Sequence, residues 1–197
     1  MSFSKLTVRS TSLIFIWNAV VFSLISCNAP QPNESTYKGL MDSSFNNFQL
    51  SFLDAYMKDN PSFAIGTGYT KYFDLLDIPD SNLYSRKINF SKTWLDSLHH
   101  FDYASLSDEN KINYDIIQNQ VKSDIWYMQD LKIYQWDPSA YNLGSECFSL
   151  ITQDYAPTDE RLKILSSHLR YSDKFYASAL QIIDHPTREH TALAIRQ

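Results

Sequence analysis

Histidine and aspartate are the residues in this sequence that could hold a metal ion. The five histidines are His99, His100, His168, His185 and His190. Adjacent residues on a helix point about 100° apart, and zinc-binding helices use a spacing such as His-x-x-x-His, which does not occur in the sequence. We therefore predict that His99 and His100 mark a solvated helix end, where histidine complements the helix dipole. His168 is predicted on an ordinary exposed helix surface.

The stretch "DLLDIPD" brings three carboxylates, Asp74, Asp77 and Asp80, within seven residues. Their spacing does not follow the alternating pattern of a calcium-binding loop, and no glutamate follows at its twelfth position. A loop that ends in a helix-capping residue, Asp80 or Ser81, is the favoured interpretation. The sequence also contains no serine nucleophile elbow, phosphate-binding glycine loop or dinucleotide fingerprint. We predict no catalytic, cofactor-binding or metal-binding residue within this chain.

Cys27 has a more specific chemical setting. Lys5 and Arg9 precede an apolar run, residues 13–25, that is shorter than the roughly 20 apolar residues of a membrane-spanning helix. The run ends in "LISC", which resembles the bacterial lipobox. That resemblance implies cleavage before Cys27 and attachment of fatty acids such as palmitate to Cys27. The alternative is an ordinary signal peptide with an incidental cysteine.

The second cysteine, Cys147, is left unpaired in this chain if Cys27 is acylated. It lies in the apolar stretch "LGSECFSLI", and no Lys, Arg or His is near it in sequence to stabilise a thiolate. We interpret Cys147 as a small buried apolar side chain.

The distribution of charge disfavours nucleic acid as a partner. The chain has 17 basic and 22 acidic residues, and the first 26 residues contain two of the basic ones and none of the acidic ones. The remainder therefore has a net charge of −7, which repels a phosphate backbone. Several lysines are scattered among acidic residues and are interpreted as solvated surface: Lys87, Lys92, Lys111, Lys122 and Lys132.

Hydrophobic periodicity and only four glycines indicate an all-α protein, a multi-helix array or bundle. We predict a signal peptide at 1–26, a flexible tether at 27–42 and a helical domain at 43–197. Within the domain, helices are predicted near 43–59, near 82–100, after a Ser107 cap, near 147–153, after a Thr158 cap and from 187 onward, with an ordered loop at 61–80. The apolar stripe after Ser107 is Tyr114, Ile117, Val121, Ile125 and Met128. The stripe after Thr158 is Leu162, Leu165, Leu169, Ser172, Tyr176, Ala179 and Ile183.

The last predicted helix reaches Gln197 without a glycine, a polar tail or another end signal. We therefore expect the domain to be incomplete, the front portion of a larger helical protein.

Five segments, in this order, resemble one bacterial family. They are "NPSFAIGTGYTKYFDLLDIPDS", "WLDSLHHFDYASLSDENKINYDIIQNQV", "WDPSAYN", "ERLKILSSHLRYSDKFYASAL" and "PTREHTALAIRQ". They are similar to the amino-terminal part of the proteins called domain of unknown function 885, exported and often lipid-anchored helical proteins that resemble gluzincin-type zinc metallopeptidases. The resemblance implies zinc and a peptide substrate only for the full-length family. The family's zinc motif begins with a His-Glu pair, which this sequence lacks.

Two hypotheses follow. The first is the amino-terminal scaffold of a lipid-anchored protein that resembles zinc peptidases, inactive alone and without its carboxy-terminal portion. The second is a non-enzymatic helical envelope lipoprotein that binds a peptide, glycan or protein through the aromatic-rich segment 61–80. Both predict a bacterial cell-envelope location, periplasmic or surface-facing, with the membrane as a partner through the lipid anchor.

Overall fold

The computed structural model describes residues 34–197, which contain nine α-helices and no β-strand. The predicted all-α fold class is therefore confirmed. The helices are α1 (Glu34–Asp59), α2 (Pro61–Thr67), α3 (Leu83–Leu98), α4 (Asp108–Ile125), α5 (Ile133–Trp136), α6 (Gly144–Thr152), α7 (Thr158–Arg170), α8 (Ser172–Ile182) and α9 (Arg188–Arg196). The chain divides into two compact units, Met1–Tyr37 and Lys38–Gln197, and of the first only residues 34–37 are described.

The largest core lies among α1, α3 and α4 and is rich in aromatic rings. We call it the aromatic core, and its buried residues are Phe45, Phe52, Tyr56, Leu98, Leu106, Tyr114, Ile117 and Val121. Phe45 meets Phe101 edge to face with ring centroids 5.2 Å apart, and Phe48 meets Trp94 in the same way at 5.4 Å. Such pairs stabilise a core beyond simple area burial.

Helix α4 begins as the sequence predicts. The Ser107 hydroxyl accepts a hydrogen bond from the Asn110 main-chain N–H at 3.3 Å, and the predicted stripe residues Tyr114, Ile117 and Val121 are buried. The Asp42 carboxylate of α1 accepts further hydrogen bonds from the Ser107 N–H at 2.9 Å and from the Asn110 side chain at 2.8 Å. Capping and tertiary packing therefore fix the same helix start.

The end of α4 changes helical pitch and then reverses. A π-helical turn at Trp126–Asp130 continues the helix, and the Leu131 N–H donates to the Trp126 carbonyl five residues earlier. Lys132 then has a left-handed backbone with φ of 48°. Non-glycine residues rarely adopt this conformation, so Lys132 marks a sharp turn before α5.

The remaining helices enclose two smaller cores. One consists of Tyr141, Leu143, Phe175 and Ala179, and the other of Ile65, Phe73 and Leu150. Cys147 is half-buried against the first of them, where burial raises the pKa of its thiol. This placement agrees with its interpretation as an apolar packing residue.

In the amino-terminal part, the structure differs from the predicted extent of the tether and of the loop 61–80. Composition predicts a tether through residue 42, whereas α1 begins at Glu34. The prolines that suggest a tether, Pro30 and Pro32, both precede that start. Within the predicted loop 61–80, residues Pro61–Thr67 are helical because proline suits the first helical position and Gly68, with φ of 78°, provides the left-handed cap.

The helix predicted after Thr158 is two helices. α7 ends at Arg170 and α8 starts at Ser172, while Pro157 occupies the cap position without a side-chain hydrogen bond. Leu162, Leu169 and Tyr176 of the predicted stripe are exposed, and only Ala179 of that stripe is buried. The buried residues are His168, Phe175 and Ala179, at spacings of seven and four. The helical periodicity of apolar residues was present in the sequence, but the helix face that packs against the rest of the protein is the one with His168 and Phe175.

The last helix is joined to the middle of the chain by main-chain hydrogen bonds. The N–H groups of Asp184 and His185 donate to the Gln135 carbonyl at 2.8 and 3.2 Å, and the Thr187 N–H donates to the Trp136 carbonyl at 3.1 Å. The Thr187 hydroxyl then accepts from the His190 N–H and caps α9.

Candidate functional site

The best-defined candidate site is a pocket of about 270 Å³ that combines charged and aromatic side chains. Its walls come from the start of α2, the segments before α3 and α6, the first turns of α3 and α6, and α8. We call it the Lys87 pocket. The side chains relevant to its chemistry are Phe63, Asp77, Tyr84, Lys87, Tyr141 and Glu146.

Lys87 is almost enclosed, with only 11% of its side chain exposed. Its ammonium group lies 2.8 Å from an Asp77 carboxylate oxygen and 3.7 Å from one of Asp59. It also donates to the Asn60 side-chain oxygen at 3.1 Å and to the Asp59 main-chain carbonyl. The ammonium group is therefore fully engaged by protein groups, and the prediction that Lys87 belongs to a solvated surface is wrong.

Glu146 differs from Lys87 because one of its carboxylate oxygens has no hydrogen-bond partner. It lies in the first turn of α6, and its Oε2 atom is shielded from solvent and has no hydrogen-bond partner. Burial raises the pKa of this carboxyl, the Ser62 hydroxyl opposes the shift, and the negative charge of Asp77 adds to it. A buried carboxylate oxygen without a donor is costly, so Glu146 is the least satisfied polar group of the pocket.

Two tyrosines form the opposite, hydrogen-bonded wall. The Tyr84 ring stacks on Tyr134 with centroids 3.7 Å apart, and its hydroxyl lies 2.9 Å from the Tyr141 hydroxyl. Because Tyr141 donates to the Tyr134 carbonyl at 2.7 Å, Tyr84 is the donor in the tyrosine pair. Burial raises the pKa of both phenols, so both stay protonated at neutral pH. They provide shape and aromatic surface rather than a general base.

A second feature is a groove of about 400 Å³ between α8, α9 and the turn before α6. Tyr176, Leu180 and Ala194 line it, and Leu193 and Ile195 lie on either side of Ala194 in sequence. Leu180 is 74% exposed and Ile195 is 81% exposed. We call this apolar feature the α8/α9 groove.

The structure separates the residues that the sequence suggests as metal ligands. His99 and His100 are exposed at the end of α3, as predicted, and Asp80 accepts from the Asn82 N–H just before α3. Asp77 pairs with Lys87, whereas Asp80 pairs with Arg86. Across residues 34–197, no three His, Cys, Asp or Glu side chains form a group that could hold a metal ion.

The prediction that His168 lies on an exposed helix surface is wrong. It is 1% exposed, and its Nε2 atom lies 2.8 Å from the Phe73 carbonyl, so this nitrogen is the protonated donor. Burial lowers the pKa of His168 despite the opposing hydrogen bond to Phe73. The helical stripe of larger apolar residues gave no sign that this histidine faces the interior.

Cys27, the predicted lipid attachment residue, and the predicted signal peptide 1–26 lie outside the described residues. No helix within residues 34–197 is both long enough and apolar enough to cross a membrane. The prediction for Cys27 therefore stays a prediction.

The residues of the Lys87 pocket could not be assembled from sequence. Lys87 and Glu146 are 59 positions apart, and neither belongs to a motif. The sequence offered one weak signal for the pocket, since Tyr84 and Tyr141 each lie next to a short polar segment. This combination is common in helical proteins and does not identify a site.

Comparisons with known proteins yield one informative likeness. No family model matches the chain, and no curated protein matches it. A solved structure described as "a putative lipoprotein of unknown function" from Shewanella oneidensis is similar, with a TM-score of 0.75 and 32% sequence identity. The likeness covers 78% of this chain and 28% of that chain, so the present chain spans little more than a quarter of the length of the solved protein. The chain is thus similar in sequence and in fold to one part of that larger protein.

Proposed function

We propose that this chain is the helical scaffold portion of a lipid-anchored protein of the bacterial cell envelope. The observation that carries the proposal is the likeness to the Shewanella oneidensis lipoprotein at 32% identity over 78% of this chain. The "LISC" sequence supports it independently, because it provides a cysteine behind a basic segment and an apolar run. Cys27 is the proposed anchor, since several acyl chains hold a protein at a membrane far more firmly than one.

The anchor is tested by growing cells that express the full chain with a radiolabelled fatty acid. We expect label on the wild-type protein and none on Cys27→Ser. Cys147→Ser is the matched control and should keep the label, because Cys147 is half-buried within the helical domain. Wild-type protein without label, or label retained by Cys27→Ser, would contradict the anchor.

The scaffold role is supported by the α8/α9 groove. Exposed Leu180 and Tyr176 leave apolar surface of the groove in water, and additional polypeptide would remove it from water. The Shewanella oneidensis chain, of which 28% is covered, shows that a fold of this kind can be one part of a larger protein. In this proposal, zinc-peptidase chemistry belongs to polypeptide outside the present sequence, because the sequence contains no His-Glu pair.

Sequencing the genomic DNA downstream of codon 197 tests the scaffold role. An in-frame continuation that contains a His-Glu pair and a further histidine at zinc-binding spacing is expected. A stop codon without such a downstream frame would contradict the peptidase scaffold and leave the anchor unaffected.

A second candidate, a ligand-binding role, is favoured by the Lys87 pocket. The pocket includes Phe63 and Asp77 from the segment 61–80 that the sequence suggests for binding. Its size is near the lower end for small-molecule sites, and it combines aromatic walls with a few polar groups. This role does not require the peptidase chemistry, and it is tested by titrating the purified chain with small ligands of different charge.

A further inference from the structure

We infer that the Lys87 pocket binds a primary ammonium group at the end of a short aliphatic chain, with Glu146 as its counter-ion. This inference deepens the binding role proposed above and rests on it. An amino-terminal amine, a lysine side chain and a free alkylamine share this chemistry.

Most polar groups of the pocket already have partners inside the protein. Lys87 is surrounded by Asp77, Asp59 and the Asn60 side chain. The Tyr84 hydroxyl donates to Tyr141, which donates to the Tyr134 carbonyl. The Asn142 side-chain oxygen accepts from the Gly144 N–H at 2.7 Å. These groups do not require a ligand.

Glu146 is the exception among these lining groups. Its Oε2 atom is shielded from solvent and has no hydrogen-bond donor, and the side chain lines the pocket. The group that satisfies a carboxylate best is a charged N–H donor, which forms a short, strong hydrogen bond.

The charge of the pocket agrees with a cationic ligand. The ionisable carboxyl and amino groups that line it are Asp77, Glu146 and Lys87, and Lys87 is paired with Asp77 at 2.8 Å. The ionised pocket then has one uncompensated negative charge, on Glu146. A monovalent cation neutralises this charge. An anion would be repelled by Glu146, and Lys87 could not attract it strongly because Lys87 is already paired with Asp77.

The walls favour an aliphatic stem. Phe63, Tyr84, Tyr141 and Phe175 present aromatic rings, and Leu83 and Pro79 add apolar surface. Aromatic faces attract a cation and also cover the methylene groups that lead to it. A fully hydrated metal ion gains nothing from these walls.

The test uses the purified full chain, isotope-labelled for NMR, and three probes of nearly equal size: n-butylammonium, n-butanol and n-butyrate. We expect n-butylammonium to give saturable shifts at Tyr84, Lys87 and Glu146, with weaker binding of the other two. Glu146→Gln should weaken n-butylammonium binding by about tenfold or more, because the charge-assisted hydrogen bond becomes a neutral one. The ligand should also raise the melting temperature of the wild type more than that of Glu146→Gln.

Glu160→Gln is the matched control. Glu160 holds the same third position in α7 that Glu146 holds in α6, but it is exposed and lies outside the pocket. It should bind n-butylammonium like the wild type.

The possible outcomes separate the ligand class from the binding role. Equal binding of n-butanol, or unchanged affinity in Glu146→Gln, would overturn the ammonium assignment and leave a binding pocket. Preference for n-butyrate would overturn it in favour of an anion held by Lys87. If none of the three probes perturbs the pocket, both the ammonium assignment and the binding role fail.

Discussion

The aromatic core and the α8/α9 groove are both built from helices, yet apolar side chains are buried in the first and exposed at the second. In the aromatic core, Phe45, Leu98 and Val121 have no exposed surface. At the α8/α9 groove, Leu180 is 74% exposed and is among the most exposed apolar residues of the described chain. The difference shows that periodicity identifies an apolar face, whereas burial depends on a partner that covers that face.

This difference explains which packing predictions succeeded. The first three members of the α4 stripe, Tyr114, Ile117 and Val121, were correct because α1 and α3 cover them, whereas Ile125 and Met128 are only half-buried. Of the stripe on α7 and α8 only Ala179 is buried, because Phe73 and the turn at Tyr141 cover the side that presents His168 and Phe175. Sequence alone did not specify which neighbour would reach each face.

Truncation at the two sites should give the largest contrast. Phe45→Ala removes a ring with no exposed surface and is expected to lower the free energy of unfolding by about 3–5 kcal/mol. Leu180→Ala removes a side chain that is 74% exposed and should change it by less than about 0.5 kcal/mol. Urea denaturation of each purified variant measures both values, and similar losses would abolish the contrast.

His168 offers a test of a buried polar contact. His168→Ala leaves the Phe73 carbonyl without its donor, and we expect a loss of about 1–3 kcal/mol in the free energy of unfolding at neutral pH. His185→Ala is the control, since His185 is exposed, and it should have little effect. A negligible loss in His168→Ala would mean that another donor replaces the ring.

The same residue should make stability depend on pH. The folded pKa of His168 is lowered by burial, so the folded state binds fewer protons than the unfolded state just below the ordinary pKa of about 6.5. Stability is therefore retained above that pH and decreases as the pH falls through the folded pKa. His168→Gln should flatten this dependence in urea titrations at several pH values, whereas a parallel decrease in wild type and variant would assign it to other groups.

The start of α4 provides a smaller test within the aromatic core. Ser107→Ala removes the hydroxyl that caps the helix and should cost about 1 kcal/mol. Ser85→Ala lies on the exposed side of α3 and should be nearly neutral. Equal melting temperatures for the two variants would show that Asp42 alone fixes the helix start.

The smallest effect on stability is expected at the groove itself. Leu180→Ser should leave the free energy of unfolding nearly unchanged while reducing the binding of a dye that reports exposed apolar surface. Ser178→Ala, on the same helix, is a control with the opposite change in polarity. Unchanged dye binding in Leu180→Ser would show that the α8/α9 groove is not a functional apolar surface.

Features within a single helix were predictable from the sequence, whereas the Lys87 pocket was not. Ser107 and the α4 stripe were recognised because their signals lie within a few turns of one helix. The Lys87 pocket depends on Asp59, Lys87 and Glu146, which are brought together by packing between separate helices. A buried lysine and an exposed one have the same sequence signature when their partners are distant.

Main-chain hydrogen bonds join the segment just before α9 to the carbonyls of Gln135 and Trp136. Every amino acid except proline provides the N–H that such a bond requires. The donors are Asp184, His185 and Thr187, and the proline of this segment, Pro186, occupies the position whose nitrogen is not used. Substitutions of Asp184 and His185 by any residue except proline therefore leave these bonds possible, which gives a physical route by which an arrangement of helices persists as sequences diverge.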